Sequence, residues 1–185
     1  MSEIATPHST IRQVLEDFGN EMQKDLKAQL LKTDSYVSGD LAEQIDFTAV
    51  VNGQGYLFQL RLKKYYDYVN KGVSGTDKKR NTPYSYMSAS KIPFYFAKQW
   101  MNNKGLFVAK GTTITSLAGK QYKAGDKDSQ AFAMATSWKQ NGIRGNHFYD
   151  KVVTEARIDK LRKDLAEAGA KDMSTIITDT FKKLK

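Results

Sequence analysis

An Asn-Gly pair at residues 52–53 lies between two runs of alternating apolar and polar side chains. The first run places Ile45, Phe47, Ala49 and Val51 on one face, and the second places Tyr56, Phe58, Leu60 and Leu62 on one face. Alternation is the pattern of a strand with one buried side, and Asn-Gly is the strongest short hairpin signal in a sequence. The chain is therefore predicted to contain an antiparallel hairpin that needs a cover on one face.

Residues 10–31 supply that cover as a predicted amphipathic helix about 33 Å long. Thr10 and Gln13 have the spacing of a capping box at its start. Apolar side chains recur at steps of three and four: Ile11, Val14, Leu15, Phe18, Met22, Leu26 and Leu30. The predicted fold class is α+β, with a long N-terminal helix packed on a small antiparallel sheet, further helices and a helical C-terminal extension.

The segment after the hairpin, residues 65–72, either continues the sheet or bends away from it. Residues 73–90 are polar and are predicted to form a long mobile loop that a neighbouring molecule orders. A small hairpin is predicted within residues 106–125. Helices are predicted at about 92–103, 129–140 and 148–168, with the last ending at Gly169, and another from Asp172. Their apolar positions include Phe94, Phe96, Trp100 and Met101 in the first, and Ala131, Phe132, Ala135 and Trp138 in the second.

One domain, residues 1–185, fits the chain length, with a core at about 10–155 and the extension at about 156–185. The hydrophobic fraction of 40% allows a modest core. The chain has no cysteine, which excludes disulfides and thiolate metal sites. Without a signal-like start or a long apolar run, we expect synthesis in a cytoplasm and no membrane partner.

The net charge of +9 is distributed unevenly. Residues 1–60 carry −5, residues 61–110 carry +9 and residues 111–185 carry +5. Such asymmetry indicates either a nucleic-acid surface or head-to-tail packing of acidic on basic faces. Of the 29 basic residues 23 are lysine, which favours solvation or phosphate contact over base reading.

Few residues are candidates for chemistry. His8 and His147 lie in different elements and are interpreted as surface or capping histidines. Asp40, Glu43 and Asp46 crowd one turn, where a polar turn face is the simpler interpretation. No phosphate-binding loop or dinucleotide motif is present. We therefore expect no catalytic, cofactor-binding or metal-binding residues and no enzyme.

The basic segment is the more informative feature. Lys78, Lys79 and Arg80 fall in the predicted loop, and Tyr66 and Tyr68 precede it. Lysines interleaved with aromatic rings suit a nucleic-acid strand. The alternative is that the rings belong to a core or subunit contact while the lysines face water. These five residues are the candidate subunit-contact or channel-facing site, and reversal of the three charges is expected to leave the fold unchanged.

Several segments resemble, in order and spacing over roughly residues 10–155, the tail-completion and neck-ring proteins of tailed bacteriophages. They are the turn from Tyr36 to Ala42, the segment Tyr65–Gly72, the proline-led helix Pro93–Trp100, Ala131–Ala135 with Asn141–Ile143, and Phe148. This head–tail connector family forms rings on the axis between portal and tail, through which the genome passes, and it has no catalytic residues. The insertion at 106–125 and the C-terminal helices depart from the family pattern.

The resemblance implies a structural subunit of a homo-oligomeric ring in the virion neck or tail. Twelve copies are favoured and six are the alternative. Its partners would be portal- or adaptor-side proteins, tail proteins, and viral DNA contacted without sequence specificity during ejection. The rival hypothesis from another class is a basic DNA-binding accessory protein that uses residues 61–110.

Overall fold

The structure, a computed structural model, describes residues 9–33, 40–52, 55–86, 93–115, 119 and 121–183. Its helices are α1 (Ser9–Leu31), α2 (Asp40–Glu43), α3 (Tyr66–Lys71), α4 (Phe94–Asn103), α5 (Lys127–Asn141), α6 (Phe148–Val152) and α7 (Glu155–Lys183). Its strands are β1 (Asp46–Asn52), β2 (Gly55–Arg61), β3 (Gly72–Val73), β4 (Thr113–Thr115), β5 (Gln121–Lys123) and β6 (Ile143–Arg144). The fold is α+β, which confirms the predicted class.

The chain forms two compact units. The terminal unit comprises residues 1–32, 41–63 and 148–185, and the central unit comprises residues 33–40 and 64–147. The prediction of a single domain stays a prediction. In the described part of the chain, no helix combines the length and apolarity that a membrane crossing requires.

The predicted hairpin and its helical cover form the terminal unit. Strands β1 and β2 pair antiparallel from Asp46↔Arg61 to Asn52↔Gly55, which confirms the predicted pairing; the turn residues 53–54 lie outside the described residues. Phe58 meets Phe18 of α1 edge-on, with ring centroids 5.4 Å apart. The core cluster of α1, α7 and the hairpin contains Ile11, Val14, Leu15, Ala49, Phe58, Leu161, Leu165 and Ala168.

The start of α1 differs from its prediction. The carboxylate of Asp172 on α7 accepts the backbone N–H groups of Thr10 and Ile11, each at 3.3 Å. Gln13 instead donates to Asp17 at 2.9 Å, so the predicted capping box is wrong. A buried carboxylate from the other end of the chain satisfies the first N–H groups and complements the positive end of the helix dipole.

The C-terminal helices also differ from their prediction. Helix α6 ends at Val152, and α7 then runs without interruption through Gly169. A Cβ at Gly169 would meet Ile11 at an ordinary contact distance of 3.8 Å, so the position is helical and packed against α1. The prediction that Gly169 ends a helix is wrong because tertiary packing outweighs the weak helix propensity of glycine.

Helices α4 and α5 pack in the central unit through small side chains. Ala97, Ala131 and Ala135 are fully buried, and the rings of Trp100 and Trp138 meet edge-on at 5.3 Å. The predicted packing positions Phe96 and Phe132 are instead 77% and 53% exposed. The predicted small hairpin is present as β4 paired with β5.

Candidate subunit-contact site

The candidate site begins with α3. From the sequence, this segment was expected either to continue the sheet or to bend away from it. The carbonyl of Tyr65 accepts the N–H groups of Tyr68 at 3.1 Å and Val69 at 3.3 Å, which starts a helical turn. Asp67 and Lys71, one turn apart, form an ion pair of 3.0 Å. The turn ends at Gly72, whose φ of 79° is in the left-handed region. The segment therefore bends away from the sheet as a helix.

Gly72 also allows two chain segments to touch. Strand β3 pairs with β6 through Gly72↔Arg144 and Val73↔Ile143. A Cβ at Gly72 would collide with the backbone carbonyl of Ile143 and the backbone of Gly145. A glycine is therefore required where α3 ends, and the short ladder joins α3 to the segment that follows α5.

The predicted loop is fastened to the C-terminal end of α5. The N–H of Thr76 donates to the carbonyl of Lys139 at 2.8 Å, and those of Asp77 and Lys78 donate to the carbonyl of Gln140 at 2.9 and 3.1 Å. These carbonyls belong to the last turn of a helix, where intrahelical donors run out and the dipole is negative. The backbone N–H groups of the loop thus satisfy carbonyls that the helix itself leaves without donors.

Ser74 fastens the rest of the loop. Its buried hydroxyl donates to the carbonyl of Arg80 at 3.0 Å and accepts the N–H of Arg80 at 2.9 Å. Its backbone N–H donates to Tyr84, and its carbonyl accepts from Tyr86. Residues 73–86 thus have hydrogen bonds within the subunit in place of apolar burial; the predicted mobility of the loop and its ordering by a neighbour stay predictions. Residues 87–90 lie outside the described residues.

The three basic residues are not equivalent. Lys78 and Lys79 are exposed, and neither ammonium group makes an ion pair within the described part of the chain. Arg80 is half-buried, and its Nε is buried without a hydrogen-bond acceptor among the described residues. Arg80 therefore differs from the two lysines, because part of its guanidinium is buried. A buried guanidinium N–H without an acceptor is uncommon, and an anion would satisfy it.

The tyrosines form a second cluster. The Tyr84 hydroxyl donates to the Asp67 carboxylate, and the rings of Tyr68 and Tyr84 lie 4.1 Å apart. This bond holds the pKa of Asp67 below its usual value and raises the pKa of Tyr84 to about 12. Tyr66 is half-buried and close enough to Tyr84 to add to that rise, whereas Tyr68 is 47% exposed.

The structure thus brings both halves of the predicted site to one segment. The ring of Tyr68 contacts that of Tyr84, and Tyr66 lies near enough to affect the Tyr84 hydroxyl. Arg80 is held by Ser74, whose N–H donates to the carbonyl of Tyr84. Ser74 and Asp67 are members of the site that were not predicted from the sequence. The four-residue spacing of Asp67 and Lys71 was a usable helix signal, but nothing in the sequence indicated the role of Ser74.

A groove of about 490 Å³ lies elsewhere in the central unit, on α4 and the start of α5. It is lined by Tyr95, Lys98, Gln99, Asn102, Phe107 and Lys127. The Lys98 ammonium pairs with Asp128, and the Lys127 ammonium lies 5.5 Å from the centre of the Phe107 ring. The groove combines cations with aromatic surface and is open to solvent.

Of the carboxylates considered for an enzyme, Asp40 has a described side-chain partner. Asp40 accepts a hydrogen bond from the Tyr65 hydroxyl at 3.0 Å; burial, followed by this bond, raises the pKa of Tyr65 to about 12. Asp46 is the strand partner of Arg61. Among the residues with a described position, no group of three or more histidine or carboxylate side chains could hold a metal ion.

Comparison of the chain with protein-family models, with curated proteins and with solved structures finds no match.

Proposed function

We propose that the chain is a non-enzymatic structural subunit of a ring in the neck or tail of a tailed bacteriophage. The ring joins the portal side to the tail and lines the channel through which the genome is ejected. It contains twelve copies, with six as the alternative. Its contacts are other copies, portal- or adaptor-side proteins, tail proteins and viral DNA, and its location is the virion after synthesis in the host cytoplasm.

The observation that carries the proposal is the packing of the segments that resemble the family. In the central unit, α3 leads through Gly72 into a ladder with β6, which follows Gly142. The proline-led α4 packs on α5 through Trp100 and Trp138. Segments distant in sequence thus form one cluster, which is what a shared structural motif would require.

The charge distribution supports the same proposal. The central unit carries 14 basic and 6 acidic side chains, a net charge of +8, whereas the terminal unit carries 15 and 14. Copies arranged in a ring repel one another through such a unit unless acidic surface or DNA phosphate lies beside it. Exposed Lys78 and Lys79, with the unsatisfied Nε of Arg80, give one place for that anion.

Electron microscopy of phage particles tests the proposal directly. A reconstruction of the neck should contain this chain as a closed ring on the tail axis, with a copy number that can be counted. The free subunit is allowed to be monomeric, since an adjoining ring can template closure. Isolated copies on the capsid surface would refute the proposal.

Charge reversal tests the role of the basic residues. The double variant K78E/K79E should impair ring assembly or genome ejection while its melting temperature stays near wild type, since exposed charges contribute little to stability. Arg80 is left unchanged because its buried Nε and its backbone bonds make it part of the loop structure. The control variant K24E/K163E makes the same change in net charge at exposed sites of the terminal unit. Equal behaviour of the two variants would show that the lysines serve only solvation.

The second candidate function is a DNA-binding accessory protein, favoured by the groove of the central unit. Tyr95 is 84% exposed there, next to Lys98, and offers a ring on which a base could stack. Under this alternative the purified full chain binds DNA with an affinity that falls steeply with salt, and Y95A weakens binding. If DNA binding is weak and Y95A does not change it, the result favours the ring subunit over the DNA-binding protein.

A further inference from the structure

The three basic residues of the loop, Lys78, Lys79 and Arg80, have no counterion among the described residues. Residues 74–86 hold these three cations and one carboxylate, Asp77, so their net charge is +2. Asp77 accepts a hydrogen bond from the Thr76 hydroxyl at 2.9 Å and forms no described ion pair with any of the three cations. The loop thus carries positive charge that the subunit itself does not neutralise.

Hydrogen bonds hold the backbone from which these side chains extend. The N–H of Lys78 donates to the carbonyl of Gln140, and the carbonyl of Lys78 accepts the N–H of Gly75 at 2.9 Å. Both backbone groups of Arg80 bond to the Ser74 hydroxyl. The cations therefore leave the chain at defined points, which lowers the entropy that is lost when they bind an anion.

The guanidinium of Arg80 is partly enclosed, yet it has no acceptor in the described part of the chain. Its Nε is buried, whereas the two terminal nitrogens keep access to solvent. A guanidinium with an enclosed stem and an open end is a pre-ordered ligand for an oxyanion, because its planar N–H groups match two oxygens of one phosphate or carboxylate.

Two oxyanions are available in the proposed ring, a carboxylate of a neighbouring copy and a phosphate of the DNA. Every copy has a net charge of +9, with +8 on the central unit and 15 basic against 14 acidic side chains on the terminal unit. A contact between the loop and a neighbour's carboxylate therefore leaves the positive excess of the ring unchanged. A polyanion in the channel neutralises that excess, so the charge of the whole chain favours phosphate.

Several carboxylates of the terminal unit are also engaged within their own copy. Glu21 and Asp25 pair with Arg157 at 3.7 and 2.7 Å, and Asp172 accepts the first N–H groups of α1. A neighbouring loop would have to draw such a group away from its present partner. Phosphates bring no such cost, and their binding releases the condensed counterions of the DNA, which favours association.

The segment offers cations more than base-stacking rings. The Tyr84 ring lies 4.1 Å from that of Tyr68, and the Tyr84 hydroxyl donates to Asp67. Lysines supply point charges on flexible stems, which can pass from one phosphate to the next as DNA moves. The contact that this chemistry suits is with the phosphate backbone, which carries no sequence information.

We infer that Lys78, Lys79 and Arg80 bind backbone phosphates of duplex DNA, with Arg80 as the most ordered of the three ligands. The inference rests on the proposed function, because it names the anion that faces this loop in the channel. One subunit makes few such contacts, so a single copy binds weakly and the DNA can slide past it.

The salt dependence of DNA binding by the purified full chain tests this contact, with a fluorescently labelled duplex as the probe. Each phosphate contact contributes about 0.9 to the slope of log affinity against log salt concentration. K78Q/K79Q should therefore reduce the slope by about 2, so that the loss of affinity between about 50 and 200 mM salt is about 12-fold smaller than for the wild type. R80K keeps the charge but removes the guanidinium, so it should weaken binding several-fold with the slope unchanged. The control K24Q/K163Q, at exposed lysines of the terminal unit, should change neither quantity.

Three results would overturn the inference: a slope that K78Q/K79Q reduces no more than K24Q/K163Q does, wild-type affinity in R80K, or polyglutamate that displaces the duplex as well as inorganic polyphosphate does at equal charge. The last result would assign the loop to a carboxylate, which a neighbouring copy could supply. A ring seen in phage particles together with any of these results leaves the proposed function standing without this contact. If the phosphate contact is present and particles contain no ring, the proposed function falls and the DNA-binding accessory protein remains.

Discussion

Replacing Gly75 with alanine should release the basic loop from α5. A Cβ at this position would collide with the backbone carbonyl of Gln140 and the backbone N–H of Gly142. Backbone atoms at a helix end cannot move aside as a flexible side chain can, so the loop has to shift. The shift breaks the hydrogen bonds from Thr76, Asp77 and Lys78 to the last carbonyls of α5.

The size of the effect follows from those three bonds. At roughly 0.5 to 1.5 kcal/mol net for each, their loss lowers the free energy of opening the loop by about 1.5 to 4.5 kcal/mol. The amides of the three donors should then exchange with solvent roughly 10- to 1,600-fold faster than in the wild-type chain. Native-state hydrogen exchange measures this at single amides, and urea unfolding measures any loss of global stability.

The variant G169A is the matched control, and its expected effect on stability is opposite to that of G75A. Its Cβ would have ordinary contact with Ile11 inside a continuous helix, so G169A should stabilise the chain by about 0.5 to 1 kcal/mol through helix propensity. If G75A leaves the exchange of the three amides unchanged, the loop is not held by the last turn of α5.

Three further substitutions test other parts of the structure. D172N removes the carboxylate that receives the first N–H groups of α1 and should lower the unfolding free energy by about 1 to 2 kcal/mol, measured in urea. Y84F should raise the pKa of Asp67 toward its ordinary value of 3.8, measured by carboxyl-resolved NMR. Because Tyr84 lowers this pKa in the folded state, the wild-type chain should be more stable than Y84F at any pH above 3.8. The difference in unfolding free energy should disappear as the pH falls through the lowered pKa. R157M removes the 2.7 Å ion pair with half-exposed Asp25 and should cost about 1 kcal/mol or less, a difference that added salt reduces.

Features set by local pattern were predictable from the sequence. The apolar spacing from Ile11 to Leu30 identified α1 to within a residue at each end, and the alternating runs on either side of Asn52-Gly53 identified the antiparallel hairpin. Both patterns depend on residues close together in sequence, and both agree with the tertiary packing of α1 on the hairpin. The α+β class was accessible for the same reason.

Features set by contacts distant in sequence were not predictable. Gly169 has the local character of a helix end, and only its contact with Ile11 explains why α7 continues. Phe132 was predicted on the buried side of α5, whereas α4 and α5 approach through alanines. The loop after Gly72 looked unsupported because its stabilising partners are backbone carbonyls, which every residue possesses and no pattern distinguishes.

The bond from Thr10 to Asp172 spans 162 residues of sequence and has a consequence for the order of folding. On the ribosome, α1 emerges first but cannot complete its packing until α7 has been synthesised. The continuous stretch from residue 64 to residue 147 has every partner for its own ladder and helix pair before that point. Non-local contacts form slowly and leave apolar surface uncovered in the meantime. The end of the α1 stripe at Ile11 and Leu15, which packs on Ala168 of α7, thus lacks its helical cover for most of translation, and a chaperone that recognises nascent apolar helices should bind there first.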